Sequence, residues 1–202
     1  AAIAKASPDV DNVLLFAKAQ ALATVLHGTE AFPLEALEKV IKAAAAVDVS
    51  QAKNLSSTQA QVERLKAETA YQIAKGEAEQ AANKLDPALG ANQDDAELAL
   101  LLGLAEAKAG HPGPALKALD KALVADPGYA PALTAIGDII ADDKDPQTGG
   151  LKNALPWYEK AAVLRDQPDS PAVIFQYRDP GFRKFSILNG DATAFPKQFL
   201  AI

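Results

Sequence analysis

Cysteine and methionine are both absent from the 202 residues, tryptophan occurs once, and aromatic side chains make up only 6%. Without cysteine there is no disulfide, no thiol nucleophile and no thiolate metal site. Long apolar runs are missing too, since nothing approaches the ~18 residues that a membrane span requires. Nor is there an excess of positive charge. A net charge of −6 argues against a protein held to nucleic acid by phosphate contacts. The start, "AAIAKASPDV", lacks the basic and apolar stretches of a signal peptide. A chain that opens Ala-Ala without Met reads as cut from something longer, either a mature exported protein or an engineered fragment. The leaning is toward a mature exported protein of a bacterial periplasm or cell envelope over a cytoplasmic one.

What is abundant is alanine, with 44 residues. Alanine is the best helix former and adds little bulk, so the 49% apolar content is that of a helical protein and not of a membrane one. Apolar residues recur every three or four positions in segments closed by Gly, Pro, Asn or Asp. Eight helices are expected, over about 11–27, 33–47, 58–75, 77–89, 94–109, 114–125, 131–142 and 151–165. The third is entered through "TQAQ", where Thr58 and Gln61 can form a capping box. The fourth is expected to stop at Gly90. Short helices joined by tight turns suggest stacked hairpins.

Residues 96–129 span 34 positions, a period associated with helical repeats. Leu102-Gly103 is followed by Ala115, Leu119, Ala122 and Pro127. The pattern resembles the tetratricopeptide repeat, which carries Leu-Gly in its first helix, Ala-x3-Phe in its second and a closing Pro. Ala99, Glu106 and Leu119 stand where that family prefers Trp, Tyr and Phe. The next frame, 130–168, repeats the pattern with Leu133, Ile136, Gly137 and Ile140, then Ala154, Tyr158 and Ala161 after five inserted residues. Earlier frames keep only second-helix spacing, with Ala81, Leu85 and Ala88, and before them Ala36, Val40 and Ala43. The small residues have a physical reason: antiparallel helices come within about 8–10 Å only where the crossing side chains are small.

The resemblance implies an all-α, tetratricopeptide-like α-solenoid, a right-handed superhelix of antiparallel hairpins, over 1–169, followed by a partly irregular, aromatic-rich C-terminal tail over 170–202. It further implies a concave groove, lined by first helices, that receives a peptide or partner protein. Carried onto this chain, the groove positions are Glu97, Leu100, Leu104, Ala107 and Lys108, then Thr134, Asp138, Ala141 and Asp142. Leu100 and Leu104 form an apolar stripe beside Lys108 and three acceptors, Thr134, Asp138 and Asp142. The clamp that grips chaperone C-terminal carboxylates needs paired donors. Thr134 and Asp138 occupy their places, so that subfamily is discounted.

Other constellations fail. His27 and His111 are each expected in a helix C-terminal turn, where a cation complements the dipole. The stretch "DDKDPQTGGLKNA" has Asp143, Asp145 and Gln147 at calcium-loop spacing, but Thr148 and Ala154 stand where the loop needs Gly and Glu. No G-x-S-x-G, phosphate-binding Gly loop, H-E-x-x-H or G-x-G-x-x-G is present. The reading is therefore a non-catalytic protein-binding scaffold, an adaptor or assembly factor without cofactor or metal. The alternative is a regulatory or substrate-docking segment of a larger enzyme.

The tail holds five of the seven phenylalanines, Phe175, Phe182, Phe185, Phe195 and Phe199. It carries Arg178, Arg183, Lys184 and Lys197 against Asp179 and Asp191, a net of +2 that leaves −8 on the remainder. So much aromatic surface would be an aggregation hazard if exposed. Two destinations stay open: the open end of the last hairpin, or a groove in its own or a neighbouring molecule, the latter giving self-association.

Overall fold

The computed structural model describes residues 9–29 and 32–165; the expectations for the tail fall outside them. Every described element is helical. The order is α1 (Val10–His27), α2 (Leu34–Ala46), a 3-10 turn (Val49–Gln51), α3 (Ser57–Lys75), α4 (Ala78–Ala91), α5 (Ala96–Lys108), α6 (Pro112–Ala125), α7 (Ala130–Asp142) and α8 (Leu151–Arg165). Each expected helix is present, its ends within two residues of the expected ones.

Local chemistry sets the ends. Asp9 caps α1, its Oδ1 accepting from the Asp11 and Asn12 amides at 3.1 and 3.4 Å. Asp95 caps α5 in the same way through the Glu97 and Leu98 amides. The capping box of α3 lies two residues before the expected one. Ser56 Oγ accepts from the Gln59 amide, and Gln59 Oε1 accepts from the Ser56 amide. Both registers read Ser/Thr-x-x-Gln, but Ser56 is the residue with the extended backbone a cap needs. Gly76 closes α3 at φ 89°, a left-handed conformation that only glycine adopts without strain. Gly90 does not stop α4, which runs one residue past it.

The chain divides into two compact units between Ala88 and Leu89, within the sequence of α4. In the first unit, α1 packs most extensively on α3, and α2 touches both. Asp11 meets Asn54 ahead of α3, and Lys18 meets Glu63 within it, so α1 and α3 run in the same direction. This departs from the sequential pairing of first with second helix. The small residues at this crossing are alanines: Ala17 and Ala21 on α1 and Ala60, Ala67 and Ala70 on α3 are all fully buried. Alanine therefore makes the close approach here with a different partner.

Two polar devices hold that pair. Asp11, only 3% exposed, accepts through Oδ2 from the Lys53 and Asn54 amides at 3.1 and 2.8 Å and from Asn54 Nδ2 at 2.9 Å. About two turns further along α1, Glu63 bridges Lys18 at 2.6 Å and Lys66 at 3.0 Å. The Asn54 amide, above all, holds the Asp11 carboxyl below its ordinary 3.8. A carboxylate depressed on folding stabilises the fold above its unfolded pKa, and that stabilisation is lost as pH falls through the folded value. Asp11→Asn is thus expected to lower the urea midpoint at pH 7 and to lower it much less at pH 3. Equal differences at the two pH values would contradict this role.

The second unit has the expected sequential pairing. α5 lies on α6, α7 lies on α8, α6 packs against α7, and α5 touches α7. Gly103 and Gly137 sit at the two crossings. A Cβ on Gly103 would stand 2.6 Å from Leu119 Cγ and 3.2 Å from the Ala115 carbonyl oxygen. A Cβ on Gly137 would stand 2.5 Å from Cε1 of Tyr158. The absent side chain is the space that the second helix occupies. Leu119 and Tyr158 are both fully buried, which at roughly 25 cal/mol per Å² offsets the 0.5–1 kcal/mol or so that a helical glycine costs. Trp157, beside Tyr158 on α8, is half-buried.

Candidate functional site

The candidate site is the strip formed by α5 and α7, the two first helices of the second unit, which touch side by side. Helical periodicity places Glu97, Leu100, Leu104, Ala107 and Lys108 along one side of α5, and Thr134, Asp138, Ala141 and Asp142 along one side of α7. Their exposures differ. Leu100 is fully buried and offers no surface, so the apolar stripe expected from Leu100 and Leu104 reduces to the half-buried Leu104. Lys108 and Asp142 are exposed, and Glu97, Asp138 and Ala141 are intermediate.

Asp138 has a structural task as well. Tyr158 donates its hydroxyl to Asp138 Oδ1 at 2.7 Å, directly beside the place where Gly137 receives the ring. Burial, then the Asp138 hydrogen bond, pushes the Tyr158 phenol well above its ordinary 10. Partial desolvation of the Lys108 ammonium, which keeps solvent contact, holds its pKa below the ordinary 10.5.

Thr134 is only 8% exposed, and its hydroxyl has no hydrogen-bond partner. Among the described residues the other two buried threonines are satisfied: Thr24 donates to the Gln20 carbonyl at 2.9 Å and Thr69 to the Leu65 carbonyl at 2.7 Å. Leaving a buried hydroxyl unpaired costs about 1–3 kcal/mol.

Tyr129 precedes α7 and was not singled out by the sequence. Burial first, then the carboxylates of Glu97, Asp95 and Asp126, drives its phenol far above the ordinary value. Three carboxylates thus act on the turn that enters α7. The available signal was an aromatic residue in the turn between two repeats, at "DPGYAP".

The remaining sequence candidates resolve into structural roles. Asp143 Oδ1 accepts from the Asp145 amide, Asp143 Oδ2 from Thr148 Oγ1, and Asp145 Oδ1 from the Gln147 amide. These bonds fold the α7–α8 insertion on itself. Among the described residues, no group of three or more carboxylate or histidine side chains is placed to hold a metal ion. His27 lies in the last turn of α1. His111 begins α6 instead of ending α5, and its Nδ1 lies 2.8 Å from Glu106 Oε2. No described helix is long and apolar enough to cross a membrane.

Comparison with protein-family models, with curated proteins and with solved structures gives no match.

Proposed function

We propose that the chain is a non-catalytic binding scaffold of the tetratricopeptide kind, taking a peptide or a partner protein on the α5/α7 strip. One observation carries this reading. The same contact occurs twice, 34 residues apart: a first-helix glycine pressed on a large buried side chain of the second helix, Gly103 on Leu119 and Gly137 on Tyr158. The longer return to Tyr158 is accounted for by the self-folded loop before α8. Repetition of one hairpin aligns equivalent faces of successive first helices, the arrangement by which repeat scaffolds make extended binding surfaces. The strip also combines an apolar patch at Leu104, a cation at Lys108 and the carboxylates of Asp138 and Asp142. Such mixed chemistry suits a peptide main chain and its side chains.

The test is affinity capture with the intact chain, with Leu104→Glu, and with Val124→Glu as control. Val124 is 83% exposed on α6, away from the strip. Truncation or reversal at an interface hot spot shifts affinity by about 2 kcal/mol or more, roughly 30-fold. A partner lost with Leu104→Glu and kept with Val124→Glu, at equal helicity by circular dichroism, is the expected result. A partner retained by both variants would exclude the strip.

A further inference from the structure

We infer that residues 178–185, the basic and aromatic stretch of the C-terminal tail, bind the α5/α7 strip of their own chain and compete there with an external partner. The inference rests on the binding reading above and supplies a regulator of the same site. Three observations meet here.

The first is charge. α7 carries Asp138 and Asp142 and no cation, while Asp95, Glu97 and Asp126 act together on Tyr129 at one end of the strip. Opposite to this field, the tail contains "RDPGFRKF", in which Arg178, Arg183 and Lys184 alternate with Phe182 and Phe185. Complementary potential of this sort sets register and orientation more than raw affinity.

The second is the unpartnered hydroxyl of Thr134, more than nine-tenths buried on α7. Its own helix leaves this hydroxyl unsatisfied, whereas Thr24 and Thr69 each bond the carbonyl four residues back. The third is reach. From Arg165, the end of α8, a chain extending about 3.3–3.6 Å per residue reaches the strip well before Phe182, and α7 with 13 residues is only about 20 Å long. Tethering makes the encounter intramolecular, at an effective concentration that a free partner must exceed.

The experiment uses the full chain with Phe185→p-benzoylphenylalanine, illuminated at a concentration where sedimentation shows monomer, then digested with trypsin. Adducts within one chain to peptides 85–108 or 122–144 are expected. Their yield should fall about fivefold with Asp142→Lys and recover when Arg183→Glu is added. Adducts to the α8 peptide, adducts between two chains, or no adduct at all would each overturn the inference. Capture that depends on Leu104 without any tail adduct removes this inference alone. A tail adduct with capture insensitive to Leu104 leaves the tail on the strip but removes the external partner there, and with it the competition.

Discussion

Gly137→Leu should unfold the second unit at temperatures where the parent chain is intact, and Gly137→Ala should weaken it by about 2 kcal/mol. A single added carbon meets the ring of Tyr158 at 2.5–3.0 Å across three atoms. That ring is fully buried and anchored by its hydroxyl on Asp138, so it has little room to swing away. Overpacking of this kind costs about 1–3 kcal/mol and exceeds the 0.5–1 kcal/mol or so that alanine gains over glycine inside a helix. Gly90→Ala provides the control: Gly90 lies in α4, with nothing within 4 Å of its missing Cβ, so only the helix-propensity gain remains. Urea denaturation of the parent and the three variants decides the matter. If Gly137→Ala is as stable as Gly90→Ala, the crossing is looser than the geometry says.

The second large effect belongs to the first unit. Glu63→Gln removes the carboxylate shared by Lys18 and Lys66, whose side chains are 19% and 5% exposed. Breaking a covered ion pair by deleting one member leaves its charge in a poor environment. Part of this network still reaches solvent, so a loss of about 2–3 kcal/mol is expected. Surface pairs behave otherwise: Glu38 and Lys42 on α2 are 45% and 74% exposed, and Glu38→Gln should be nearly silent. Equal effects of the two substitutions in thermal unfolding would show that the α1–α3 contact does not depend on this network.

Much of this was legible from residue spacing. Gly103, Ala115, Leu119 and Ala122 marked one crossing and Gly137 with Tyr158 the next, because close approach leaves a direct trace in side-chain size. Helix ends were legible because capping depends on a few consecutive residues. The α1–α3 pairing was not. It rests on buried alanines and on Asp11 meeting Asn54, forty-three residues away, and alanine's spacing does not say which helix it faces. Site burial was equally hidden. Leu100 and Leu104 occupy equivalent positions on a helical wheel, yet one is sealed and the other half open, a difference set by neighbours distant in the chain. Thr134 looked like any surface acceptor, and its unsatisfied hydroxyl became visible only with its surroundings.

The chain's sole indole, that of Trp157, stands next to Tyr158 on α8. Its emission during denaturation follows the second unit alone, while far-ultraviolet dichroism sums helices from both. Any gap between the two melting curves would measure directly how independently the halves on either side of Ala88 come apart.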